Sequence, residues 1–172
     1  VSLGTSGTAF AYSAQPVIDP DGLIAPFCDS TGGWLPLLCV MNMTGVTEEV
    51  RAAFGGDLQS LTAAAAAVPA GADGLLLLPY LHGERVPDLP GATGALLGVR
   101  PGLLRPGHLF RAALEGTTLS LALGIERMRS LGIEVTSVRV VGGGAHNPLW
   151  CQIIADVLEV PVVRLVEPES AA

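Results

Sequence analysis

The 172 residues are enough to bury one sizeable core, and with 49% hydrophobic and only 15% charged residues the chain reads as a globular, rather apolar domain. A net charge of -7 excludes nonspecific binding to nucleic acid or to acidic membranes. All nine basic residues are arginine, so a Walker-type phosphate loop and Schiff-base chemistry, which both require lysine, are excluded too.

The elements follow in chain order. Val1-Ser2-Leu3-Gly4-Thr5-Ser6-Gly7-Thr8-Ala9-Phe10-Ala11-Tyr12 reads as strand, tight turn, strand. Glycines flank Thr5 and Ser6, so hydroxyls and backbone N–H groups can converge there on an anion without any cationic side chain. An ordinary hairpin tip is the other reading. A loop rich in Pro, Asp and Gly over residues 16–26 overlaps a short strand at 24–28, and a second apolar strand runs from Trp34 to Val40. These strands are expected to form an antiparallel meander. From Thr44 the pattern becomes helical, with Val46, Val50 and Phe54 on one face and Gly55-Gly56 as its end. Asp57 is placed to cap a second helix through Leu58, Leu61, Ala65 and Val68, with the alanine run 63–67 serving close helix packing.

Residues 74–81 read as a buried strand that runs into His82-Gly83-Glu84-Arg85-Val86-Pro87-Asp88. That polar loop is either a ligand or interdomain loop, or a solvated turn in which Arg85 pairs with Glu84 or Asp88. Residues 91–106 form a long connection punctuated by Gly and Pro. The longest helical stretch is 108–131, apolar on more than one face and closed by Arg127, Arg129 and Gly132. Glu115 lies within it among small and apolar neighbours and needs a partner, through a structural hydrogen bond rather than catalysis.

Val138, Val140 and Val141 then give a buried strand that stops at Gly142-Gly143-Gly144. Asn147 and Pro148 suit the N-cap and first position of a helix carrying Leu149, Trp150, Ile153, Ile154, Val157 and Leu158. Such a strand, glycine turn and capped helix form a place where a nucleotide can lie against bare backbone. A dinucleotide-binding fingerprint fits poorly, because Asn147 occupies the place of the third glycine and no acidic residue follows at the required distance. A last strand spans 160–165. Val1 already reads as strand and residues 169–172 as a helix start, so both ends look truncated, as in a piece of a larger protein. No apolar run is long and clean enough to span a bilayer, and the opening residues do not read as a signal peptide. Cys28, Cys39 and Cys151, odd in number and without metal-like spacing, read as buried free thiols in a reducing cytoplasm.

Taken together, the segments 1–7, 78–87 and 141–145 resemble the second half of the FGGY-type carbohydrate kinases. Gly94-Ala95-Leu96-Leu97-Gly98-Val99, leading to His108-Leu109-Phe110-Arg111-Ala112-Ala113-Leu114-Glu115, resembles that family's C-terminal signature in order and spacing. The likeness is greatest to the xylulose kinases, through Phe27-Cys28, Gly32-Gly33-Trp34 and the Gly-Glu-Arg-x-Pro run at 83–87, and it covers essentially the whole chain. Thr93 departs from the pattern, standing where the family usually carries arginine.

The resemblance implies an α/β fold of the actin-like ATPase (ribonuclease H-like) class, a mixed sheet with helices on both faces, incomplete at both ends. Residues 1–172 would be the C-terminal, ATP-binding lobe of a two-lobed cytoplasmic sugar kinase whose N-terminal lobe is absent. Such an enzyme transfers the γ-phosphoryl group of ATP, with Mg2+, to a sugar hydroxyl, here that of D-xylulose. By resemblance, Gly4, Thr5, Ser6 and Gly7 would hold the ATP phosphates. Gly143, Gly144 and Ala145 would lie against the adenosine, with Asn147 a candidate contact for the adenine. The catalytic base is expected upstream of Val1, and the metal ligands and most sugar contacts on the missing lobe. The chain alone is therefore expected to be inactive; a homodimer is compatible with the whole enzyme. A noncatalytic actin-like module that senses a sugar or nucleotide is the alternative.

Overall fold

The computed structural model describes residues 1–165. The helix start read at 169–172 lies outside them. Ser2–Leu3 (β1), Gly7–Phe10 (β2), Ala25–Cys28 (β3) and Trp34–Val40 (β4) form an antiparallel sheet in the order β1-β2-β4-β3. The expected meander is thus corrected: β2 pairs with β4, and β3 lies outside both. β4 is the longest strand and buries Pro36, Leu38 and Val40 on one face, so it gains most from a partner on each side. Pro26 of β3 stands opposite Pro36 of β4, a pairing in which neither residue is asked for an N–H.

Leu76–Leu78 (β5) and Ala95–Leu97 (β6) form a separate antiparallel pair. The strand expected to be buried over 74–81 is therefore only three residues long and keeps Leu76 exposed, and its partner arises inside the stretch read as irregular. Val138–Val140 (β7) pairs in parallel with Val162–Arg164 (β8). This pair joins the first sheet through a parallel bridge between Ser2 and Val141. Leu3 N donates to Val141 O at 2.8 Å, and Val141 N donates to Val1 O at 3.0 Å. One mixed sheet results, β8-β7-β1-β2-β4-β3.

Thr44–Phe54 (α1), Leu58–Ala66 (α2), Pro106–Ser130 (α3) and Pro148–Leu158 (α4) surround it. The caps fall where the sequence puts them. Asp57 accepts from Ser60 N at 2.7 Å, Asn147 accepts from Trp150 N at 3.2 Å, and Pro148 opens α4. α3 is the hub. Phe110, Leu114, Leu121, Ile125 and Met128 join Leu3, Leu38 and Val40 of the sheet and Trp150 and Ile154 of α4 in one core. Each such large side chain, fully buried, contributes roughly 1.5–3 kcal/mol. At Gly116 a Cβ would come within 2.2 Å of Leu77 O, so a bare backbone lets α3 seat against β5. Phe54, read on one face with Val46 and Val50, is exposed, whereas Val46 is buried. Among the described residues no helix is long and apolar enough to cross a membrane.

The long segment between β2 and β3 is tied down ionically. The Asp19 side chain is fully buried and accepts from the amides of Asp21, Leu23 and Ile24 and from the Arg127 guanidinium near the end of α3. The Arg127 hydrogen bond, opposed by burial and reinforced by the amides of Asp21 and Ile24, lowers the Asp19 pKa to about 2. A depressed folded-state pKa means stability that is complete above the unfolded value near 4 and lost as pH falls through about 2. Asp19→Asn should therefore destabilise the chain by about 2 kcal/mol at pH 7. Chemical denaturation of both proteins across pH should show that gap closing between about pH 4 and about pH 2.

Candidate functional site

β1 and β7 lie side by side and parallel, so the chain leaves both at the same end of the sheet. Each exit is a glycine turn, residues 4–6 after β1 and 142–146 after β7. Open α/β sheets place ligands at such strand ends. Gly142 has φ +85°, and a Cβ there would sit 2.9 Å from Leu3 O, so both conformation and crowding require glycine. The short 3₁₀ turn Gly143–His146 follows. A Cβ on Gly143 would meet nothing within 4 Å, whereas one on Gly144 would lie 2.8 Å from Leu3 Cβ and 3.0 Å from the Trp150 ring. Gly144 is therefore packed and Gly143 open.

A groove of about 890 Å³ opens beside this turn. The turn and the start of α4 form one wall, and α1 and α2 form the other, with Phe110 of α3 also contributing. Gly143, Gly144 and Asn147 line it. Ala145 does not: it is buried, with its amide donating to Gly142 O at 3.0 Å. The Asn147 side chain is committed twice, accepting from Trp150 N and donating through Nδ2 to Thr62 Oγ1 of α2 at 2.9 Å. It clasps the two walls together. Ala64 and Ala65 bear out the reading of the alanine run as close helix packing, since Ala65 is buried and a Cβ on Gly107 of α3 would come within 2.7 Å of Ala64 O, while Ala63 and Ala66 also face the groove. Small side chains there make room. Polar groups are few, chiefly Thr44, Gln59, Thr62 and His146, together with Glu48, which is paired to Arg51 at 2.6 Å. A large, mostly carbon-lined groove with few polar groups suits a flat heterocycle with a polar extension.

The turn at residues 4–6 meets the groove through Thr44, which lines it while its amide donates to Gly4 O at 2.9 Å. Thr5 O accepts from Met43 N at 3.1 Å and from Gly45 N at 3.5 Å, and Ser6 O accepts from Gly4 N at 3.1 Å. The carbonyls of the turn are thus used inward. Among the described residues the amides and hydroxyls of Thr5 and Ser6 have no acceptor. Donors facing outward on a tight turn make an anion cradle. Gly7 is not part of that surface. It begins β2, pairs with Leu3 and Val40, and is buried, with Met43 where a side chain would go. No three His, Cys, Asp or Glu side chains cluster as a metal site would need among the described residues.

The loop after β5 fits neither form of the solvated-turn reading. Arg85 pairs with neither Glu84 nor Asp88; Glu84 is only 2% exposed and accepts from Met41 N, Arg85 N and Asn42 Nδ2. Glu115 has the structural partners expected of it, Arg111 Nε at 2.5 Å and Gly71 N at 3.0 Å. The cysteines are free, but only Cys151 is buried; Cys39 is half-buried and Cys28 exposed. Burial pushes the thiols of Cys39 and Cys151 up, which keeps them protonated at neutral pH. The groove walls on α1 and α2 were missed from the sequence. The alanine run was their only signal, and packed helices carry the same signal.

The family model described as the FGGY family of carbohydrate kinases, C-terminal domain, matches residues 1–172. The xylulose kinase of Haemophilus influenzae is 41% identical over 172 residues, 100% of this chain and 35% of that protein. The xylulose kinase of Streptomyces coelicolor is 37% identical over 155 residues, 90% of this chain and 30% of that protein. Among solved structures, the xylulose kinase of Bifidobacterium adolescentis superposes with a TM-score of 0.88 at 38% identity, covering 98% of this chain and 33% of that one. The glycerol kinase of Plasmodium falciparum, at 17% identity and a TM-score of 0.84 over 98% of this chain and 35% of that one, shares the fold. The chain thus spans about a third of the length of the relatives it matches. With its actin-like ATPase fold, the chain belongs to the FGGY family of carbohydrate kinases, whose C-terminal domain it matches from end to end.

Proposed function

We propose that this chain is the ATP-binding lobe of a two-lobed cytoplasmic kinase that phosphorylates D-xylulose to D-xylulose 5-phosphate. One observation carries the nucleotide reading: two glycine turns, one an outward-facing anion cradle and the other beside a largely apolar groove, leave adjacent parallel strands at the same end of the sheet. Gly143, Gly144 and the α1–α2 wall would enclose the adenosine, Asn147 would hold that wall in place, and Thr5 and Ser6 would take the phosphates. Bare donors and a nearby hydroxyl suit a phosphate chain whose charge is shared with a metal ion. Mg2+ supplies charge neutralisation of that chain when bound. Its ligands, the general base and most sugar contacts are assigned to the part of the relatives' length that this chain does not cover. The sugar assignment rests on the xylulose kinases among the relatives.

The test is phosphorylation by the full-length protein across a panel of ketoses and polyols. D-xylulose is expected to be preferred; a preference for glycerol or ribulose would overturn the sugar while leaving the lobe assignment intact. Nucleotide binding without phosphoryl transfer to any sugar would point to a sensing module instead. The 172-residue chain by itself should release no ADP in a sugar-dependent manner.

The two central glycines should separate stability from binding. Gly143→Leu projects into the groove and should raise KM for ATP by at least about tenfold with little change in melting temperature. Gly144→Ala forces a methyl against Leu3 and Trp150 and should lower stability by about 1–3 kcal/mol. A stability loss for Gly143→Leu larger than that for Gly144→Ala, measured by denaturation, would contradict the geometry.

A further inference from the structure

The polar loop after β5 has no place in the nucleotide site as described, yet it is built with unusual care. Glu84 Oε1 accepts from Met41 N and from Arg85 N, both at 2.7 Å, and Oε2 accepts from Asn42 Nδ2 at 3.1 Å. Asn42, 1% exposed, also donates to Gly83 O at 2.6 Å and accepts from His82 N at 3.3 Å. Glu84 and Leu89 exchange reciprocal backbone bonds of 2.9 Å, which closes the loop on itself. Residues 41 and 42 are thus gripped by a stiff loop. The very next residues, 43 to 45, grip the cradle: Met43 N and Gly45 N donate to Thr5 O, and Thr44 N donates to Gly4 O.

No run of free chain separates the two grips. A shift of the Met41 amide passes directly to the amides that set the position of Gly4 and Thr5. A buried carboxylate held by three N–H donors is expensive to desolvate and is retained only where those donors are satisfied together. We propose that Glu84 is a positioning residue for the phosphate cradle, acting through Asn42 and residues 41–45 to fix the Thr5 and Ser6 donors. The inference rests on the nucleotide reading above and assigns Glu84 no contact with substrate.

Glu84→Gln in the full-length protein tests it. The amide keeps an oxygen for the Met41 and Arg85 amides but sets its own N–H against Asn42 Nδ2, so it cuts only one of the links. KM for ATP should rise about tenfold while KM for the sugar stays within about twofold. A role confined to folding would alter melting temperature and yield but leave KM for ATP in the surviving active protein unchanged, and that result overturns the proposal. If Glu84→Gln does not fold, amide exchange on the unaltered protein decides. Saturating AMP-PNP should slow exchange at residues 83–86 and 41–45 together with 4–6; slowing at 4–6 alone overturns the proposal. Slowing nowhere, with no AMP-PNP bound, removes the nucleotide reading itself and this inference with it.

Discussion

The site depends on two backbone hydrogen bonds between the first residues of the chain and residue 141. Leu3 N to Val141 O and Val141 N to Val1 O set β7 in parallel against β1. Antiparallel pairing would send the two exits to opposite ends of the sheet; only the parallel pairing brings both glycine turns to one edge. The composition of the second turn follows from the same contact. Leu3 lies so close that side chains at 142 and 144 would collide with it, while at 143 the backbone faces open space. Three glycines in a row therefore answer to different demands: two to the sheet and one to the groove.

What could be read from the sequence was local. A β-branched run stopped by glycine, an Asn-Pro helix start and an Asp placed to cap α2 all act within a few residues, and all stand where expected. What could not be read was decided across the fold. The order of β3 and β4 turns on which strand gains more from two neighbours, and the exposure of Leu76 turns on how closely α3 approaches β5. Ala63 and Ala66 are indistinguishable in sequence from packing alanines until α4 is seen to stand across the groove from them. Glu84 shows the same limit from the polar side. Its neighbour Arg85 is the obvious partner on paper, yet the carboxylate turns inward to amides of β4's end, reached only through the fold.

On the proposed reading, the arrangement also accounts for how an acidic chain without lysine would present a phosphate site. With Gly4 O and Thr5 O spent on the start of α1 and Ser6 O on Gly4 N, the donors of the 4–6 turn are left as its outward face, so the attraction proposed for it is made from oriented dipoles rather than from net charge. That device is only as good as its geometry, because a dipole turned aside is lost where a flexible cation would follow its ligand. The rigidity around the cradle and the clasp of Asn147 on Thr62 are the corresponding requirement.

The facing prolines of β3 and β4 bear on association between molecules. In an antiparallel pair, a residue that exchanges no hydrogen bonds with its partner points its backbone groups away from it, and Pro36 O does face β2, where Ala11 N donates to it. Pro26 must then turn its nitrogen to the free edge of the sheet, so the middle of that four-residue edge offers no donor to an incoming strand. Phe10 and Phe27 expose apolar surface nearby, the kind of margin along which sheets fuse into aggregates. One ring nitrogen without hydrogen interrupts that ladder.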